Sequence, residues 1–230
     1  MQYGAAARIP AFYPYPRRSA AQKQSRAARE SLPTLYILAG PTGSGKSTLA
    51  EQLRGEFKIP PGIWVNADEI AARMRGESPG NTNPSLAAAM EADRLRHAAL
   101  DAGHDLITET VMSDAIRWVP FFQKATALGY RISLYFVTTS DASINVARVR
   151  TRVAMQGHDV PEDRIRSRYT KVMRHVLPLV MPLTHQTFVF DNSSVENGMR
   201  LIAVYRNGRL VQFDEARNSA LGGWLAGLMR

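Results

Sequence analysis

The stretch Gly40-Pro-Thr-Gly-Ser-Gly-Lys-Ser47 constrains this chain more than any other. It matches G-x-x-x-x-G-K-[ST] at every fixed position. An apolar run of strand length, Thr34-Leu-Tyr-Ile-Leu-Ala39, stands directly before it, and a helical pattern follows to about Arg54. A strand that turns through glycines into a helix start points backbone N–H groups inward, where the helix dipole adds positive potential. Such a concavity holds polyphosphate. Gly40, Thr42, Gly43, Ser44, Gly45, Lys46, Ser47 and Thr48 are therefore the candidate nucleotide-binding residues. Lys46 is placed to reach the β- and γ-phosphates, and Ser47 to offer its hydroxyl to Mg²⁺. The chain has no N-K-x-D sequence, the usual guanine reader, which favours ATP over GTP.

Beyond the loop, short apolar runs alternate with helical patterns. Ile63 to Val65, His104 to Glu109, Tyr130 to Val137 and Thr187 to Phe190 read as strands. Helices are expected over 67–75, from Pro84 to about Ala102, after a Ser113 cap, over about Asp141 to Met155, and from Pro161. The order implies an α/β fold with a mostly parallel sheet and helices on both faces. Asn207-Gly208, flanked by apolar residues, predicts a C-terminal hairpin, with a short helix after it. Residues 1–33 read as a basic extension, with a polar helix expected over 19–30; 34–194 read as the main domain and 195–230 as an appended hairpin and helix.

Ligands in such sheets bind beyond the carboxyl ends of the strands. Asp68, just after the second strand, is a candidate base for a hydroxyl acceptor; its rival role is helix capping. Glu109 ends the third strand and is read as holding the acceptor or the metal's water shell, with Thr110 as a substrate contact. The segment 148–174 carries eight basic residues. Arg148 and Arg152 share one helix face, as do Arg164 and Arg168, around Gly157-His-Asp159. This pattern reads as a lid whose guanidinium groups offset phosphoryl charge, Arg152 and Arg168 foremost. His158 has no partners at metal-ligand spacing.

Composition sets outer limits. The chain has no cysteine, so disulfides and thiolate metal sites are excluded and a reducing, cytoplasmic setting is expected. No apolar run is long enough to cross a bilayer, and no signal peptide is visible. Net charge is +9, and residues 1–33 hold six basic residues against Glu30 alone. That tail makes nucleic acid a possible but less favoured partner.

The series Leu38-to-Thr48, Val65-Asn-Ala-Asp-Glu-Ile70, Ile107-Thr-Glu-Thr110, Gly129-to-Tyr135, Gly157-His-Asp-Val-Pro-Glu-Asp163, Arg168-Tyr169 and Phe190-Asp-Asn-Ser193 resembles the zeta-toxin family of small P-loop kinases, in its predicted-ATPase branch. The likeness covers about residues 34–194 and implies a three-layer P-loop NTPase fold. Its five-stranded parallel sheet would run in the order 2-3-1-4-5 under a helical lid. It also implies ATP and Mg²⁺, a nucleotide-sugar acceptor such as UDP-N-acetylglucosamine, and an antitoxin partner. Asp68 would match the family's base, Glu109 its acceptor-orienting acid, and Arg152 with Arg164 or Arg168 its phosphate clamp. Thr110-Val-Met112 departs from the family's glycine-containing run after the glutamate. Two other readings stand beside a small-molecule kinase: a polynucleotide kinase, and a nucleotide-dependent binding module without catalysis.

Overall fold

The computed structural model describes residues 32–56, 62–77, 84–155, 157, 159–214, 221 and 224. The expected helix over 19–30 and His158 lie outside them, as do most residues after the hairpin, where the short C-terminal helix is expected. The elements are β1 (Thr34–Ala39), α1 (Lys46–Glu56), β2 (Ile63–Asn66), α2 (Ala67–Glu77), α3 (Pro84–Asp101), β3 (Leu106–Thr110), α4 (Ala115–Ala127), β4 (Arg131–Thr138), α5 (Ala142–Ala154) and α6 (Glu162–Lys171). A π turn (Val172–Val176), α7 (Leu177–Val180) and a 3₁₀ turn (Met181–Leu183) lead to β5 (Gln186–Asp191), β6 (Arg200–Arg206) and β7 (Arg209–Phe213).

One sheet of seven strands runs β2-β3-β1-β4-β5-β6-β7. The first five are parallel in the expected order, while β6 and β7 pair antiparallel. The hairpin thus extends the sheet from five strands to seven. Asn207 and Gly208 both have positive φ, 48° and 73°, which gives the turn the twist a two-residue hairpin needs.

Alternation along the strands builds the layers. Leu35, Ile37, Leu134, Phe136 and Val189 face the larger core, which α3, α4 and the π turn cover with Ala92, Phe121, Phe122 and Val172. Leu38, Ile107, Tyr135, Val137 and Phe190 face the opposite side, under Leu49 and Leu53 of α1. Each fully buried Leu, Ile or Phe side chain contributes about 1.5–3 kcal/mol.

Helix starts correct one sequence expectation. The cap of α4 is Asp114, not Ser113. Asp114 has extended backbone (φ −122°, ψ 103°) and accepts from Ile116 N–H at 3.1 Å. Asp141 caps α5 in the same way, accepting from Ser143 N–H at 2.6 Å.

Candidate active site

The sheet registers bring the chemistry to one edge. Leu38 on β1 is level with Glu109 on β3, and Asn66 on β2 is level with Glu109 from the other side. The three parallel strands therefore end near one level, with the glycine loop leaving β1 beside β3.

The loop needs its glycines. Gly40, Gly43 and Gly45 have φ of 149°, 80° and 104°, a region L side chains rarely adopt. A Cβ at Gly40 would lie 2.0 Å from Val137 O, and one at Gly43 2.7 Å from Asn145 O. The outside of the loop is held by two side-chain amides. Asn145 Nδ2 donates to Thr42 O at 2.7 Å, and Asn192 Nδ2 donates to Ser44 O at 2.8 Å. Asn145 is fully buried and takes a short hydrogen bond from Thr139 Oγ1. Engaging the carbonyls from outside leaves the amides to face inward. Among the described residues, the buried hydroxyls Thr42 Oγ1 and Ser44 Oγ have no hydrogen-bond partner. Buried polar atoms are rarely left so without a purpose.

Lys46 opens α1, is buried, and folds back to donate to Pro41 O at 3.1 Å. Burial pushes its pKa down, Glu109 and Asp68 oppose that, and Arg152 and Arg168 add to it. Carboxylates from two strand ends and guanidinium groups from two lid helices therefore act on the same ammonium. Ser47 Oγ donates to Glu109 Oε1 at 2.8 Å, and Asn66 Nδ2 donates to Oε2 at 3.2 Å. Burial raises the Glu109 pKa, against Lys46 and the Ser47 bond, which lower it. Thr48 is exposed on the first turn of α1.

Asp68 is exposed, and the capping role belongs to its neighbour: Asn66 Oδ1 accepts from Asp68 N–H at 2.9 Å. The Asp68 carboxylate is thus free of the helix start and lines a cavity of about 390 Å³ with Ser47, Asn66, Glu109 and Arg152.

The lid arginines divide. Arg150 and Arg166 both pair with Glu162, at 2.6 and 2.8 Å, on the outer surface. Arg168 is half-buried; burial and Arg164 lower its pKa, while Asp68 raises it. Arg164 is exposed beside Arg168. Tyr169 OH ties α6 to the end of β4 by donating to Thr139 O at 2.6 Å. Thr110 stands apart from the cavity lining. It lies on the face of β3 opposite Glu109, and its hydroxyl accepts from Met112 N–H at 3.1 Å.

Sequence reasoning assigned no role to Asn66, Asn145 or Asn192. The first and last lie in the motif runs Val65-Asn-Ala-Asp68 and Phe190-Asp-Asn-Ser193. Asn145 sits in a helix among apolar residues, and that buried amide was the available signal.

A family profile described as "AAA domain" matches residues 35–174. A curated relative, an uncharacterized protein of Haemophilus influenzae, is 29% identical over 134 residues, covering 56% of this chain and 88% of that protein. Among solved structures, a chain of the AvrRxo1-ORF1:AvrRxo1-ORF2 complex with sulphate ions superposes at TM-score 0.61 and 17% identity, covering 84% of this chain and 64% of that one. The present chain therefore spans under two thirds (64%) of that neighbour. The same complex has been solved with ATP. A chain of the PezAT toxin–antitoxin system of Streptococcus pneumoniae superposes at TM-score 0.54 and 14% identity, covering 91% and 84%. At these identities the likeness is one of fold. The profile, however, spans the loop, both strand-end carboxylates and the arginine-rich segment, so the chain belongs to the AAA domain family, with a P-loop fold like that of the AvrRxo1 and PezAT chains.

Proposed function

We propose that the protein transfers the γ-phosphoryl group of ATP to a hydroxyl of a small molecule. The observation that carries this is the cavity beside the phosphate loop, which Ser47, Asp68, Glu109 and Arg152 line together. A phosphate loop alone would serve any nucleotide-binding protein. An exposed carboxylate released from helix capping, facing a cavity beside that loop, is what an acceptor alcohol requires.

In this reading the loop amides, Thr42, Ser44 and Lys46 hold the triphosphate. Ser47 and Glu109 are hard oxygen donors already joined at 2.8 Å, and they fit Mg²⁺. That ion takes few protein ligands and completes its octahedron with water and phosphate oxygens. Bound there, Mg²⁺ would neutralise charge on the β- and γ-phosphates. Asp68 orients the acceptor and takes its proton. Arg152 and Arg168 offset charge on the transferring group, with Arg164 supporting Arg168.

Asp68→Ala is expected to lower turnover by about 10²–10⁴-fold while ATP binding, followed by calorimetry, stays within about twofold. Full turnover in that variant would remove the assigned base. An antitoxin-like protein partner is an extension of the proposal from the PezAT neighbour. Co-expression with a candidate partner and gel filtration would test it.

A further inference from the structure

The cavity beside the phosphate loop speaks to the chemistry of the acceptor. Its charged lining falls into two groups. Glu109 accepts from Ser47, and Arg152 acts on Lys46, so both belong to the phosphate side. The other charges among the described lining are Glu51, Asp68, Glu69 and Arg75, three carboxylates to one guanidinium. The floor includes Ala50 and Ala71, which are buried and whose methyl groups occupy little of the space. One wall is Trp64, whose indole N–H donates to Glu69 Oε1 at 3.0 Å. That bond fixes the ring and leaves the second oxygen of the exposed Glu69 available.

An ionised carboxylate accepts hydrogen bonds and donates none. Glu51, Glu69 and Asp68 therefore call for a ligand rich in O–H or N–H donors. A phosphate in the same place would meet like charges, each costing about 1–4 kcal/mol at 4 Å in a wet cleft.

Resting on the phosphotransferase reading, we infer that the acceptor is a small polyhydroxylated molecule without a phosphate group, a free sugar or amino sugar. Its donors lie on Glu51 and Glu69, beside Trp64. An ammonium group on the ring adds attraction to the carboxylates. In the transfer the acceptor oxygen bonds to the γ-phosphorus, and the bond from that phosphorus to the β–γ bridging oxygen breaks. ADP leaves with the electron pair, and the hydroxyl proton passes to Asp68 and then to water. This acceptor differs from the nucleotide sugar that the motif resemblance implies.

The test uses the full chain, Mg-ATP and a small-molecule extract split by anion exchange at neutral pH. Mass spectrometry then seeks species heavier by one phosphoryl group. The expected product arises from the unretained, neutral and cationic fraction. A faster reaction with the retained, anionic fraction overturns this inference and leaves the phosphotransferase reading standing. No product from either fraction, with ATP binding intact, overturns both. A second arm uses Glu51→Lys with the unretained fraction limiting. The expected rate falls by about tenfold or more, with the ATP KM and melting temperature unchanged, and Glu51→Gln loses less. An unchanged rate in Glu51→Lys overturns the placement.

Discussion

Asn66 Nδ2 donates to Glu109 Oε2 over 3.2 Å, while the other end of the same side chain caps α2 by accepting from Asp68 N–H at 2.9 Å. One amide therefore sets the spacing between the Glu109 carboxylate and the start of α2, which carries Asp68. Asp can replace Asn as a cap, but it cannot donate to Glu109. Asn66→Ala should cost about 1 kcal/mol of stability by chemical denaturation. Asn66→Asp should recover that loss yet leave kcat depressed about tenfold or more, since it repels Glu109 and shifts the site. Equal recovery of stability and activity in Asn66→Asp would show that the bond to Glu109 is idle.

The loop is held from outside at two carbonyls. Asn192→Ala and Asn145→Ala are each expected to weaken ATP binding by about tenfold, read by calorimetry with the Mg²⁺ concentration fixed. Gly45→Ala should be worse. Its Cβ would lie 2.3 Å from Asn192 Nδ2, and φ at that position is 104°. Combining Gly45→Ala with Asn192→Ala relieves the clash but not the backbone strain, so recovery is expected to be partial.

The lid arginines should separate in kinetics. Arg152→Ala and Arg168→Ala are expected to lower kcat by about 10²-fold or more. Arg150→Ala and Arg166→Ala, which remove only exposed pairs with Glu162, should leave kcat unchanged and alter stability by under about 1 kcal/mol. A fall in kcat from either outer arginine would place Glu162 in the mechanism.

His185 supplies a pH dependence remote from the site. Its Nδ1 accepts from Ile132 N–H at 3.1 Å, which requires the neutral ring. Burial and Arg131 lower its pKa below the usual 6.5. The unfolded chain thus takes up a proton at higher pH than the folded one. The contribution of His185 is complete above about pH 6.5 and fades as pH falls through the depressed folded value. Melting temperature should decline on that side, and His185→Gln should flatten the slope.

Much of this was legible beforehand because parallel α/β proteins repeat a simple grammar. Strand, glycine turn and helix at 34–54 fixed the loop, and Asn207-Gly208 fixed the hairpin. The register between β1, β3 and β2 follows from apolar runs ending in Gly40, Glu109 and Asn66. Other features depend on contacts between residues distant in the chain. Nothing local announces that Asn145 reaches Thr42, 103 positions away, or that Asn192 reaches Ser44, 148 positions away. The sorting of arginines into inner and outer sets likewise depends on where α5 and α6 cross, and spacing along one helix does not reveal that. The Ser113 cap failed for a smaller reason: two neighbouring residues could both cap, and the backbone turned extended at the second.

Strand β5 carries Asn192 at its tip, and it is flanked on its outer side by β6. Met199, just before that strand, is buried and would lie 3.3 Å from a Cβ at Gly45. Shortening the chain after residue 194 would turn β5 into an open border with unsatisfied main-chain groups. It would also strip the apolar backing, Met199, from the glycine-loop cradle. The hairpin is thus the far buttress of that cradle, and a trimmed protein should lose its grip on nucleotide before it loses its shape.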